Sequence, residues 1–70
     1  MTYINFDKTY SKVNSLLKMH GIVGEYREWL ISKVGVEEID WYWNRGDTLA
    51  RGVFLKKGED AVAFRLRFEL

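Results

Sequence analysis

Ile39-Asp40-Trp41-Tyr42-Trp43-Asn44-Arg45-Gly46-Asp47 is the stretch on which the fold turns. Apolar Ile39, Trp41 and Trp43 alternate with Asp40, Tyr42 and Asn44. That is the period of two expected of a strand with one face in a core and the other outside. The triplet Arg45, Gly46, Asp47 then ends the run. It matches an adhesion tripeptide, but its position between two strand-like segments makes it turn chemistry, with glycine supplying the backbone freedom. Trp41 and Trp43 are therefore expected inside and Tyr42 outside.

Working back from this stretch, the period changes near residue 36. Phe6, Tyr10, Val13 and Leu17 recur at helical spacing, and Tyr26, Trp29, Leu30 and Val34 do so again. Two helices are predicted, at about residues 6–20 and 24–34. Gly21 and Gly35 are placed as their stops, and the short connector makes the helices neighbours. Tyr3 and Ile4 fit either a short leading strand or an early helical turn.

Working forward, strands are predicted at about residues 37–44, 48–56 and 61–70, joined by short glycine-containing turns and hence antiparallel. In the last, Val62, Phe64, Leu66, Phe68 and Leu70 alternate with Ala63, Arg65, Arg67 and Glu69. The expected fold is α+β, a single domain over residues 1–70. Two N-terminal helices pack on one face of a three-stranded antiparallel meander, in the order α-α-β-β-β. The expected core is Phe6, Tyr10, Val13, Leu17, Tyr26, Trp29, Leu30, Trp41, Trp43, Val62, Phe64, Leu66 and Phe68.

The middle strand is apolar on both sides. In one register Ala50 and Gly52 face the helices, leaving Leu49, Val53 and Leu55 outside. In the other those three face inward and Phe54 joins Tyr42 on the open face. A one-residue slip exchanges the two arrangements. Either leaves apolar surface on the open face, and such patches mark partner sites.

Composition narrows the function. Seventy residues without cysteine lie near the lower limit for a core without staples, and the 3 Trp, 4 Tyr and 4 Phe supply the compensating bulk. Cysteine-free composition fits a cytoplasmic compartment. No secretion signal or membrane-spanning run is visible. Eleven basic against ten acidic residues, formal charge +1, do not by themselves point to nucleic acid. His20 is the only histidine, and Ser11, Ser15 and Ser32 all lie on predicted helices. Neither a nucleophile nor a metal-ligand pattern emerges, and no cofactor is implied.

The candidate contacts are Tyr42, Arg51, Phe54, Arg65 and Arg67. They are the residue types enriched at interface hot spots, on an open sheet face whose last strand is also an edge. The expected function is a non-enzymatic protein-binding module, its partner another protein or a second copy. A nucleic-acid binder using Tyr42 with Arg65 and Arg67 is the alternative, since an aromatic platform flanked by cations holds single-stranded bases. The order of elements is also similar to that of small ribonuclease toxins if residues 3 and 4 form a strand, a likeness of fold without a motif. In size and aromatic richness the chain is similar to small phage or bacterial proteins that inhibit larger machines. No segment carries a family motif.

Overall fold

A computed structural model describes residues 1–47 and 49–70. Thr48, the first residue of the predicted second strand, lies outside them. The elements are β1 (Thr2–Asn5), α1 (Asp7–Lys12), α2 (Leu16–Lys33), β2 (Trp41–Arg45), β3 (Ala50–Leu55) and α3 (Gly58–Phe68). The three strands form one antiparallel sheet in the order β1-β3-β2. The α+β class and the three-stranded antiparallel sheet are as expected. The identity of one strand is not.

Residues 61–70, expected as the last strand, belong to α3. The segment carries two periods at once. The alternation of Val62, Phe64, Leu66 and Phe68 suits a strand, while Ala61, Phe64 and Phe68 fall on one helical stripe. The helix wins because its ends are also right. Glu59 and Asp60 stand in the first turn, and Arg65 and Arg67 in the last, complementing the helix dipole. Glu69 closes it in a left-handed conformation, φ 56°. The helical solution buries Ala61 and Phe64 but leaves Val62 58% and Leu66 77% exposed, so neither is core. The vacant sheet position is taken by the leading strand β1, with Ile4 opposite Val53 and Tyr3 opposite Phe54.

The helices also divide differently from expectation. The break falls at residues 13–15, where Val13 is extended and the Ser15 side chain accepts a hydrogen bond from the Lys18 amide. This serine cap starts α2, which then runs through Gly21 and Gly24 without stopping. The break severs the stripe from Phe6 to Leu17. Leu17 is accordingly 82% exposed, and Met19 enters the core in its place. Gly35, at φ 146°, does follow the end of α2 as expected. A β-carbon there would collide with the Asp40 side chain, whose carboxylate accepts from the Val36 amide at 2.7 Å.

The core lies on one face of the sheet. Ile4, Trp41, Val53 and Leu55 are buried there, with Trp43 partly so, against Phe6, Met19, Tyr26, Leu30, Ala61 and Phe64. Rings dominate the contact. Tyr26 lies 4.9 Å from Phe6, 5.1 Å from Phe64 and 4.6 Å from Phe68, and Trp41 meets Trp43 edge-on at 5.1 Å. Each fully buried large side chain contributes roughly 1.5–3 kcal/mol. Among the described residues no helix is long and apolar enough to cross a membrane.

Candidate protein-binding face

The register of β2 against β3 pairs Trp41 with Leu55, Tyr42 with Phe54, and Trp43 with Val53. This selects the second of the two arrangements: Val53 and Leu55 point to the helices and Phe54 points away. Since β1 pairs Tyr3 with Phe54 from the other side, the outer face carries one ring from each strand, in line across the sheet. Tyr3 and Phe54 centroids are 4.6 Å apart at 39°, and Phe54 and Tyr42 5.0 Å apart at 24°. All three rings are half-buried. Among the described residues no hydrogen bond or ring contact ties them to a helix.

Two further features set the row in place. Asn44, two residues along from Tyr42 and on the same face, donates from Nδ2 to the Tyr3 hydroxyl at 2.8 Å across the width of the sheet. Gly52 lies beneath that bond. A β-carbon there would run into the Tyr3 phenol and stand 2.5 Å from the Ile4 carbonyl oxygen, so only glycine admits the close approach of β1. At the other end, the Tyr42 hydroxyl donates to the Met1 sulfur at 2.7 Å. Because β1 and β2 flank β3, that contact passes over the central strand. Met1 itself is 68% exposed, an adaptable thioether beside rings it packs with well.

Of the five residues expected on this face, Tyr42 and Phe54 are there together. Arg51 is not. It shares the parity of Val53 and Leu55 and projects from the opposite face near the start of β3, into a cleft lined by Asp7, Tyr10, Leu16, Asp47 and Leu49. Arg65 and Arg67 leave the sheet altogether, because the segment bearing them is α3. Arg65 lies near Asn5, Asp7, Lys8 and Leu70. The Arg67 guanidinium sits 4.9 Å above the Phe68 ring, in a groove with Glu25, Glu28, Trp29 and Ser32. On one side the ring row is flanked by Asn5, Gly52 and Asn44, and neither Arg65 nor Arg67 is beside it. Tyr3, Asn44 and Met1 are the members that local sequence reading missed; pairing of residue 3 with residue 54 leaves no short-range signal.

The serines and the histidine are dispersed. Ser11 and Ser32 donate to the Asp7 and Trp29 carbonyls, Ser15 caps α2, and His20 is exposed on α2. Tyr10 has a structural part. Tyr10 donates its hydroxyl to the Ala50 carbonyl at 2.7 Å. Burial raises its pKa above the usual tyrosine value, and the charge of Arg51 partly offsets this by lowering it. A group whose folded pKa is raised stabilises the fold fully below its unfolded value and loses that contribution as pH climbs through the folded one. Alkaline unfolding is therefore expected to begin above about pH 10 and to shift in Tyr10→Phe, which also loses a bond of about 0.5–1.5 kcal/mol. Arg51→Met is expected to push the Tyr10 titration higher still, read as tyrosinate absorbance against Tyr10→Phe.

No family model, curated protein or solved structure matches the chain. The functional reading rests on the geometry of this face.

Proposed function

We propose that the chain is a non-enzymatic protein-binding module, acting in the cytoplasm through the outer sheet face formed by Tyr3, Phe54 and Tyr42. The supporting observation is the unbroken row of three aromatic rings on a face that no helix covers. A chain this small needs its rings inside, and eight of them sit on or near the core side. Three held in register on the other side are bulk that the fold does not consume. Tyrosine and phenylalanine in a pre-arranged row lose little side-chain freedom on binding and offer a desolvated centre of the kind that carries interface energy. Asn5 and Asn44 supply a polar border. Such a module works by occupancy, modulating or inhibiting whatever surface it covers.

Two observations favour a protein over a nucleic acid. Phe54 lies between Tyr42, at 24°, and Tyr3, at 39°, so its ring is flanked on both sides, and the two tyrosine hydroxyls are engaged by Met1 and Asn44. A base needs a free ring face. The arginines that would have held phosphates stand on α3. The ribonuclease reading finds its leading strand in β1, but the last strand of that order is absent and its arginines stand on α3.

The test is capture from source cells on immobilised wild type and Tyr42→Ser, each with and without nuclease. A protein retained by wild type through nuclease treatment and reduced at least about tenfold (roughly 1.4 kcal/mol) on Tyr42→Ser is expected. Capture that vanishes with nuclease would overturn the proposal in favour of nucleic acid. The variant should melt with the wild type, because Tyr42 is outside the core.

A further inference from the structure

The two edges of the sheet are treated differently. On β2, the Lys56 amide donates to the Asp40 carbonyl, so the even-numbered residues bond to β3 and Trp41 and Trp43 direct their backbone groups outward. That edge is partly closed: the Glu38 amide donates to the Trp41 carbonyl at 2.7 Å, Glu37 bridges to Trp41, and Arg45 pairs with Glu37. On β1, the Phe6 amide donates to the Arg51 carbonyl at 2.9 Å, so Thr2 and Ile4 bond to β3 and Tyr3 and Asn5 direct theirs outward. Among the described residues none of those groups has a hydrogen-bond partner off the ladder. The strand Thr2-Tyr3-Ile4-Asn5 contains no charge and no proline, the devices that ordinarily keep an edge from pairing.

Beneath this edge runs α3. A β-carbon on Gly58 would stand 3.9 Å from the Thr2 hydroxyl, and Arg65 lies near Asn5. The helix therefore follows the strand in the same direction. Seven helical residues advance about 10.5 Å and three strand steps about 10 Å, so the two elements keep pace and Val62 falls about level with Ile4. Val62 is four residues after Gly58 and three before Arg65, on the same side of the helix, and it is exposed. Glu59 and Arg65 stand three residues to either side of it. Neither belongs to an ion pair within the chain among the described residues.

We infer that the protein pairs with a second copy of itself along the outer edge of β1, giving a six-stranded sheet in which the two α3 helices meet around Val62. A two-fold axis at Ile4 sets Tyr3 opposite Asn5 of the other copy, and Asn5 opposite Tyr3, so the four outward N–H and C=O pairs satisfy one another. The same axis makes the α3 helices antiparallel. Val62 then meets its counterpart, and the acidic first turn of each helix meets the basic last turn of the other, Glu59 against Arg65. Charge complementarity under a single axis, arising together with strand register and helix phase, selects a second copy over other occupants. The paired sheets carry both ring rows on one face, so each dimer presents two binding rows. The pairing does not depend on the binding proposed for those rows.

Sedimentation and light scattering across a dilution series of the full chain test this. Wild type is expected to pass from monomer to dimer with concentration. Val62→Glu, Glu59→Arg and Arg65→Glu are each expected to weaken the dimer at least about tenfold (roughly 1.4 kcal/mol), and Glu59→Arg with Arg65→Glu together to restore most of it. Exchange of the Tyr3 and Asn5 amides should slow with protein concentration. All three sites are exposed, and helical circular dichroism confirms that each variant is folded. A wild type that stays monomeric throughout, a dimer indifferent to Val62→Glu, or a double reversal no better than either single one would overturn the inference. Tyr42→Ser should leave dimerisation intact while reducing partner capture, which separates this inference from the proposed function.

Discussion

Trp41→Ala is expected to eliminate the cooperative unfolding transition at room temperature. Trp41 is the largest fully buried side chain. Its ring packs edge-on against Trp43, it stands opposite Leu55 on the central strand, and its Nε1–H donates to the Gly35 carbonyl at 3.0 Å. Truncating a buried tryptophan costs about 3–5 kcal/mol through lost transfer energy and the cavity left behind. A core in a chain of this length supplies roughly 3–5 kcal/mol in all. The two quantities are equal in size, so the variant has no margin. Urea titration followed by far-ultraviolet circular dichroism is expected to show a broad, non-cooperative slope. Trp41→Phe keeps most of the volume and loses the indole bond, and should remain folded with a lowered midpoint. A sharp transition near the wild-type midpoint in Trp41→Ala would mean that this residue is not the centre of the core.

Gly52→Ala is expected to detach β1 from the sheet at a cost of roughly 1–3 kcal/mol, the range for overpacking a close contact. One methyl group does this because of what it meets. The Tyr3 phenol could swing aside, but the Ile4 carbonyl oxygen, 2.5 Å away, is backbone in the strand that must pair. Removing only the ring should therefore fail to help: Tyr3→Ser with Gly52→Ala is expected to be no more stable than Gly52→Ala alone. For a domain of this size the loss corresponds to a melting temperature lower by roughly 4–8 °C per kcal/mol. Amide exchange localises it, with the Thr2 and Ile4 protons expected to lose protection ahead of those in α2. Unchanged protection at Ile4 would show that the strands are farther apart than the contact implies.

These two residues also show which parts of the fold could be read from the chain and which could not. Trp41 and Trp43 are recognisable as inward because the alternation around them is local and is followed at once by turn chemistry. Phe6, Tyr26 and Leu30 are recognisable as core from their local helical spacing, and Phe64 because it is inward in either period. Gly52 is not, since its purpose is set by a strand almost fifty residues earlier. The α3 segment misleads because a single run of residues satisfies both periods, and only the end charges and the left-handed Glu69 decide between them. Gly21 misleads in the opposite way: a glycine that looks like a stop lies inside α2, which the serine cap starts six residues before it.

The binding face divides along the same line. Tyr42 follows directly from the alternation, and Phe54 follows once the register is known. Tyr3 completes the row only through pairing with β3, which no local pattern announces. Arg65 and Arg67 belong on the sheet only if their segment is a strand, and it is a helix. Their position on α3 leaves the aromatic row without those two cations, and frees Arg65 for the pairing with Glu59 across the inferred two-fold axis.

The most direct measurement is cross-saturation by nuclear magnetic resonance, with isotopically labelled protein bound to the partner retained through nuclease treatment. Tyr3, Tyr42, Asn44 and Phe54 should lose intensity first and most, with Trp41, Trp43 and Val53 unaffected beneath them. Loss confined to α2, or to α3 away from the sheet, with the ring row untouched, would contradict the assignment of this face as the binding surface.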